Sequence, residues 1–435
     1  MVPIIKSSDY QDTLNKLYGF TLDNIKNITF QVTDRCSLKC SYCYQINKGK
    51  RKMSFETAKK AIDLIFSDDP SIRDYLGNDV KAYIIEFIGG EPTLEPELMD
   101  QVVNYFREVA FKKDPMIVAR SRISIASNGM HYFEPAVNKF LMKNANSLSF
   151  SISLDGNKEL HDSCRRFPDG SPSFDKAIAA IHDWRAHGNE MGSKITLCPA
   201  NIDKCFEASK FMVEEGYNII HINFVYEEGW SIDDAKVCYE QLKKFADYML
   251  ELDAPQNIFY ALFDYDKYTP QNEAEDKNWC GGDGNMLAID PDGRLFPCIR
   301  YMESALGTEV EPICIGDVDN GIGKCAKCQK CIKMLEGVTR SVCCEGTDCL
   351  DCPVSTGCGW CSGYNYQRYG TLKKRTTFQC WLHKAASLAN VYYLNKLNRK
   401  FNDSYRVKMY LPKEDALQII SEDEYNMLVD LTKEE

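Results

Sequence analysis

No apolar run in this 435-residue chain approaches the about 18 residues needed to span a bilayer. Its first residues, Met1-Val2-Pro3-Ile4-Ile5-Lys6, lack the basic-then-apolar order of a secretory signal. A basic excess is also missing. Lys and Arg total 52 against 63 Asp and Glu, and the net charge of −11 argues against nucleic acid or an anionic membrane as main partner. The chain has no internal repeat and no low-complexity segment. These absences leave a cytoplasmic protein as the expectation. Its composition is that of an ordinary globular protein, 44% hydrophobic and 26% charged. The length suits one barrel-sized domain plus a smaller one.

What the chain has in excess is cysteine, twenty residues. Disulfides are rare in a reducing compartment, so metal binding is the better account. Thirteen of the twenty fall between Cys280 and Cys380. Cys164, Cys198, Cys205 and Cys238 are scattered and read as small buried hydrophobes. Near the amino end, Cys36-Ser37-Leu38-Lys39-Cys40-Ser41-Tyr42-Cys43 has the spacing C-x3-C-x2-C. Three thiolates this close can hold three irons of a [4Fe–4S] cube and leave the fourth without a protein ligand. An open metal position binds a small molecule. S-adenosylmethionine, whose amino and carboxylate groups chelate iron, fits it, and an electron from the cluster would cleave it to a 5'-deoxyadenosyl radical. A structural zinc knot or an unrelated ferredoxin-type loop is the alternative, but zinc wants four closed ligands and no histidine stands nearby.

From residue 26 to about 225, strand and helix patterns alternate. Strands are expected at 25–32, 82–88, 122–126, 148–154, 194–197 and 218–225. Helices are expected at 55–65, 96–111, 134–143, 174–186, 202–215 and 234–252. The alternation implies parallel strands with crossover helices, an α/β fold built as an incomplete (β/α)6 TIM-like barrel. The cysteine loop follows the first strand. Gly89-Gly90-Glu91-Pro92, Ser127-Asn128-Gly129 and Asp155-Gly156 follow the next three. Chemistry gathers at the carboxyl ends of such strands, so these motifs are expected to face one cavity. Gly89 and Gly90 would let backbone approach the methionine part of the cofactor, having no Cβ. Glu91 would accept from its ammonium group. Ser153 and Asp155, two apart on a strand, share a face and would bond the ribose hydroxyls. Arg165, after His161-Asp162, would fork onto the cofactor carboxylate. Ser127 and Asn128 would add polar contacts, and Leu197 would cover the adenine. Each of these has a plainer reading as turn chemistry or surface charge. Beyond residue 255 the expected divisions are a linker at 256–279, a metal-organised domain at 280–390 and a C-terminal segment at 391–435. Residues 1–25 form an extension and 26–255 the barrel. Residues 382–398 and 414–431 read as helical, 404–410 as extended.

Cys36–Cys43, Gly89–Pro92, Ser153–Gly156 and His161-Asp162…Arg165 resemble the radical S-adenosylmethionine superfamily. The cysteine region is similar to its SPASM extension, whose pattern is C, G-x4-C, C-x2-C-x5-C-x3-C, then C. Here stand Cys280, Gly293-x4-Cys298, Cys349-x2-Cys352-x5-Cys358, Cys361 and Cys380. One step departs, since Cys358 to Cys361 spans two residues rather than three. The resemblance implies three [4Fe–4S] clusters. One lies on Cys36, Cys40 and Cys43 and binds S-adenosylmethionine. An auxiliary cluster lies on Cys349, Cys352, Cys358 and Cys380, and another on Cys280, Cys298 and Cys361. The last lacks a fourth cysteine in the stretch 271–279. It is either open toward substrate or completed from the insertion 299–347. That insertion holds Cys314, Cys325, Cys328, Cys331, Cys343 and Cys344, which alternatively bind another metal or remain free thiols.

The segment Cys352-Pro353…Gly357-Cys358-Gly359-Trp360-Cys361, with Tyr364-Asn365-Tyr366 and Cys380-Trp381, resembles maturases of cysteine-repeat ribosomal peptides. It implies a radical enzyme that takes hydrogen from a precursor peptide, itself cysteine-rich, and forms thioether links. Other peptide modifications (carbon–carbon links, epimerisation, formylglycine) and a small-molecule substrate remain open. Formylglycine formation is disfavoured, because that pattern places Asp after the G-x4-C cysteine and here Ile299 follows Cys298. A reduced flavodoxin or ferredoxin is the expected electron donor. Only about 25 residues precede the first strand, too few for a separate leader-binding domain, so leader capture is expected to use another surface, another protein, or to be absent. No general base is nameable from the sequence.

Overall fold

Strand β1 (Ile25–Thr33) organises the molecule in a computed structural model that describes residues 24–433 except 228, 272–279, 281, 283, 284 and 345. It pairs in parallel with β2 (Ala82–Gly89) on one side. Strands β3 (Arg122–Ser127) and β4 (Leu148–Ile152) follow in order. A single bridge between Ser151 and Gly192 links β4 toward β5 (Lys194–Leu197). Strands β5 and β6 (Ile219–Phe224) pair in parallel, and β7 (Phe259–Tyr260) adds to β6. The order is that of the incomplete (β/α)6 barrel. The six expected strands are present with ends within two residues of expectation.

Period-two alternation explains which face of each strand is dry. Ile28, Phe30 and Val32 of β1 and Tyr83, Ile85 and Phe87 of β2 are buried under the helices. Phe30 and Phe87, register partners, stand 6.0 Å apart by ring centroids. The opposite face is polar: Thr29 Oγ1 donates to Glu86 Oε2 at 2.6 Å across the same two strands. Helix Phe55–Ile65 buries Ala58, Ala61, Ile62 and Ile65, a helical stripe, and Ser54 caps it by accepting from Thr57 N. Three short helices, Pro70–Leu76, Pro115–Arg120 and Lys158–Cys164, escaped the sequence reading because six or seven residues are too short for a period to show. Their caps, Asp69, Asp114 and Asn157, were the available signal.

The expected linker is not a simple spacer. Its described part supplies β7, and residues 272–279 lie outside the described residues, as do 1–23 of the N-terminal extension. Strand β8 (Met286–Ile289), from the cysteine-rich region, pairs in parallel with the free edge of β1. Strands β9 (Arg294–Phe296), β10 (Gly316–Asp317) and β11 (Gly321–Ile322) continue that sheet in antiparallel fashion. Eight strands thus run as one sheet across the boundary expected near residue 280.

Helix Cys380–Lys400 returns the chain to the barrel. Tyr392 Oη bonds Asp247 at 2.6 Å on helix Ile232–Glu251, and Phe263 stacks 4.5 Å from Tyr393. Residues 404–410, expected extended, form no strand. Their backbone bonds asparagine side chains instead: Asn395 accepts from Val407 N at 2.8 Å and donates to Val407 O at 3.0 Å, and Asn398 donates to Tyr405 O at 3.0 Å. The helix expected over 414–431 is two, Lys413–Ala416 and Glu422–Leu431, the second capped by Ser421. Among the described residues no helix is long and apolar enough to cross a membrane.

Candidate functional site

The loop carrying Cys36, Cys40 and Cys43 leaves the carboxyl end of β1 and is pinned from three sides. Gly90 N donates to Thr33 O at 3.0 Å and Glu91 N to Arg35 O at 2.8 Å. Ser41 N donates to Cys164 O at 2.9 Å and Lys39 N to Arg166 O at 2.7 Å. The two glycines have a geometric reason different from the one expected. A Cβ on Gly90 would lie 2.3 Å from Arg35 O and 2.7 Å from Cys36 Cβ, and one on Gly89 would lie 2.5 Å from Thr33 O. They clear space for the cysteine loop itself.

Glu91 is 1% exposed and its carboxylate is filled by protein donors. Oε1 accepts from Thr93 N at 3.1 Å, Thr93 Oγ1 at 2.6 Å and Ser127 Oγ at 2.8 Å, while Oε2 accepts from Asn128 N at 2.7 Å. A buried carboxylate needs such partners. It ties the end of β2 to the end of β3. Asn128 Nδ2 reaches Ser37 Oγ at 3.1 Å and Cys36 Sγ at 3.8 Å, which brings it to the cysteine loop.

Asp155, wholly buried, is likewise committed. Oδ2 accepts from Arg165 Nε at 2.7 Å and from Tyr42 Oη, and Oδ1 accepts from Thr196 N at 3.1 Å. The ribose contact expected of it competes with these bonds. Arg165 Nη1 lies 3.9 Å from Cys40 Sγ and its guanidinium 5.3 Å from the Tyr42 ring. Ser153 is half-buried, with its N–H on Ser127 O at 2.8 Å. His161 and Asp162 hold the frame: His161 Nε2 pairs with Ser173 Oγ at 3.0 Å, and Asp162 Oδ1 accepts from Ser173 N and Phe174 N, both at 2.9 Å. Burial lowers the His161 pKa to about 4. Leu197 is fully buried and shares its face of β5 with Ile195, while Lys194 and Thr196 hold the other.

The three thiols fit a cluster by donor chemistry and by counter-charge. Burial raises the Cys36 thiol, with Lys48 opposing, and pushes Cys40 up to about 11, with Arg165 opposing. Lys48 and Arg165 thus flank the loop as the cations that several thiolates need. No three His, Cys, Asp or Glu side chains among the described residues converge to grip a single ion. Thiols that each take their own iron corner need no such convergence.

Beyond the loop the other thiols form two further groups. Cys298 is electrostatically coupled to Cys361 and Cys280. Cys380 is coupled to Cys358, Cys352 and Cys349, and these four line a cavity of about 570 Å³ with Trp360 and Arg375. Arg375 Nη2 donates to Cys358 Sγ at 3.0 Å and Nη1 to Cys344 Sγ at 3.7 Å. Cys344, a member of the insertion, sits against Cys349, and the hydrogen bond between them lowers the Cys349 thiol while it raises that of Cys344. The aromatic residues join the groups. Tyr44 neighbours Cys43 and Cys298, with Arg300 lying 4.7 Å from its ring, and Tyr226 neighbours Cys361, Cys358 and Cys280. Arg300 also pairs with Glu227.

The barrel's polar face adds groups that the sequence did not single out. Lys194 of β5 and His221 of β6 are register partners, both solvent-accessible yet surrounded by protein. Burial lowers both pKa values, with Arg165 and Arg300 among the charges acting on Lys194 and Lys267 acting on His221. Glu86 is also coupled to Lys194. The only advance signal was their position on short strands, which does not say which face lines the cavity.

Residues 30–212 match the model of the Radical SAM superfamily. Among characterised relatives, the antilisterial bacteriocin subtilosin biosynthesis protein AlbA of Bacillus subtilis is 24% identical over 64% of this chain and 56% of its own length. The radical SAM cyclopropyl synthase TigE of Paramaledivibacter caminithermalis is 23% identical over 84% of this chain and 73% of its own. An uncharacterised Methanocaldococcus jannaschii protein is 27% identical over 47% and 64%. The chain therefore spans less than two thirds of the length of two of these three. Among solved structures, native anSMEcpe with bound AdoMet matches with a TM-score of 0.61 at 16% identity, over 86% of this chain and 99% of that one. Streptococcus suis SuiB bound to precursor peptide SuiA matches at 0.54 and 14%, over 85% and 79%. These likenesses establish a shared fold.

Proposed function

We propose that this chain is a radical SAM enzyme that modifies a ribosomal precursor peptide and forms thioether links from its cysteines. The observation that carries the reading is the run of thiol groups from the barrel mouth outward. Cys43, Tyr44, Cys298 and Cys361, Tyr226 and Cys358 follow one another as electrostatic neighbours. In this reading Cys36, Cys40 and Cys43 hold the cluster that binds S-adenosylmethionine. Cys349, Cys352, Cys358 and Cys380 hold one auxiliary [4Fe–4S] cluster, and Cys280, Cys298 and Cys361 another. When bound, cluster and S-adenosylmethionine supply a carbon-centred radical able to take a hydrogen atom from a peptide carbon.

The chain's own residues do the rest. Gly89 and Gly90 admit the cysteine loop, and Glu91 with Ser127 and Asn128 locks the second and third strand ends beside it. Asp155 and Tyr42 orient Arg165 toward Cys40. Ser153, half-buried at the end of β4, and Asn128 offer polar contacts to the cofactor. His221, kept neutral by burial, and Lys194 Nζ are the groups on the cavity face that can accept a proton from a substrate thiol. A reduced flavodoxin or ferredoxin would supply electrons, and the cytoplasm is where such a donor and reduced thiols coexist.

The TigE relationship, over 84% of the chain, favours a second reading in which a carbon–carbon bond forms instead. Coexpression with candidate precursor peptides and mass spectrometry tests both. Loss of two hydrogens per link with one cysteine thiol no longer alkylatable supports thioether formation. The same loss with every thiol still reactive supports a carbon–carbon bond. Unmodified peptide, together with no 5'-deoxyadenosine from the reduced, reconstituted protein, sinks the catalytic reading.

A further inference from the structure

Four thiols of the insertion stand apart from the groups described above. Cys325, Cys328 and Cys331 have the spacing C-x2-C-x2-C, which opens bacterial ferredoxin cluster loops. Cys325 is the N-cap of helix Ala326–Leu335, and Cys328 and Cys331 lie at successive i, i+3 positions along it. Neighbours at that spacing share a helix face, with Cβ atoms about 5–6 Å apart. Cys328 and Cys331 are 9% and 7% exposed. Cys328 N donates to Cys325 Sγ at 3.0 Å, and the two sulfurs are joined as a disulfide. Cys331 accepts from the backbone of Cys314, which arrives from a different part of the chain just before β10. Lys327, ion-paired with Glu311 at 2.9 Å, is coupled to both Cys331 and Cys314.

We infer that Cys314, Cys325, Cys328 and Cys331 are the ligands of an additional [4Fe–4S] cluster, separate from the auxiliary clusters in the proposed function and not dependent on that proposal. The spacing favours an iron–sulfur cube over one zinc ion: zinc sites pair their thiols as C-x2–4-C with a second such pair or with histidines, whereas a C-x2-C-x2-C run gives each thiolate its own iron corner. A remote fourth cysteine completing such a run is what Cys314 provides. Four thiolates add negative charge, and the Lys327 ammonium lies where it offsets part of it.

Cluster assembly first requires the Cys325–Cys328 bond to open. A dithiol reductant supplies the two electrons: it becomes a cyclic disulfide, its two protons pass to the released sulfurs, and both deprotonate on binding iron. The full-length protein reconstituted anaerobically with iron, sulfide and dithiothreitol tests the assignment. The double variant Cys328→Ala, Cys331→Ala should hold about four irons and four sulfides fewer per chain than the wild type, one cube's worth, while still producing 5'-deoxyadenosine. Cys314→Ala should show a [3Fe–4S] electron paramagnetic signal absent from the wild type. Thiol alkylation read by peptide mass spectrometry needs no variant. All four cysteines should be protected in the holoprotein and become reactive once the iron is chelated. Equal iron in wild type and double variant overturns the assignment. So does zinc lost in place of iron, or free alkylation of these thiols in the iron-loaded protein.

Discussion

Arg165 spans the buried Asp155 carboxylate and the Cys40 thiol, with Nε 2.7 Å from Oδ2 and Nη1 3.9 Å from Sγ. One side chain therefore compensates two negative groups on different loops. Removing it by Arg165→Ala leaves a fully buried carboxylate without its cation, a defect that costs on the order of 3–5 kcal/mol. Arg165→Lys keeps the charge but loses the fork, so its stability should fall between wild type and Ala. Urea unfolding of the anaerobic protein, with iron content measured alongside, checks the order. An Ala variant as stable as wild type contradicts the pairing.

Cys40→Ala should abolish 5'-deoxyadenosine formation, because two thiols cannot hold the cluster in a geometry that keeps one corner open. Cys361→Ala should leave cofactor cleavage partly intact while suppressing modified peptide. The comparison uses chromatographic assay of deoxyadenosine beside mass spectrometry of the peptide. Normal product from the Cys361 variant would refute the role given to the auxiliary group.

Gly90→Ala places a methyl 2.3 Å from Arg35 O, a backbone atom that cannot step aside without moving Cys36. A loss of about 1–3 kcal/mol is expected from such overpacking. Cluster absorbance per chain should fall with it. Full cluster occupancy in the alanine variant would show that the loop has slack.

His161 titrates near 4 when folded, against the ordinary 6.5, chiefly because burial disfavours the imidazolium. A depressed histidine stabilises the fold above the unfolded value and loses that contribution as pH falls from about 6.5 to 4. The shift corresponds to stability on the order of 3 kcal/mol. Denaturation midpoints of the wild type should drop across that window. His161→Gln should flatten that part of the profile, and an unchanged slope would count against it.

Lys194→Met removes an amine from the cavity face without touching the cysteine loop. Deoxyadenosine production should persist while peptide modification falls by about 10²–10⁴, the range for a proton-transfer group. His221→Gln should do less where Lys194 alone carries the proton, and more where the imidazole does. Full product from both variants removes these residues from the reaction.

The fold was largely legible because β1 to β6 are short, β-branched or aromatic, and separated by helices with a clear apolar stripe. Ends moved by a residue or two, and β4 stopped at Ile152 rather than Leu154. What the sequence concealed was partnership at a distance. Met286–Ile289 is only four residues long, and nothing local says that it pairs with a strand more than 250 positions earlier. Glu91 and Asp155 looked available for a ligand because a strand-end carboxylate is polar in isolation. Only the assembled loops reveal that Ser127, Asn128, Tyr42 and Arg165 already occupy them.

The parallel seam between β1 and β8 has a mechanical result. Swinging the cysteine-rich region outward like a lid would mean unzipping the very strand that delivers the first three thiols. The ladder from Asn27–Met286 to Phe30–Ile289 therefore fixes where the cysteine-rich region starts relative to Cys36, and neither can shift along the other without breaking that register.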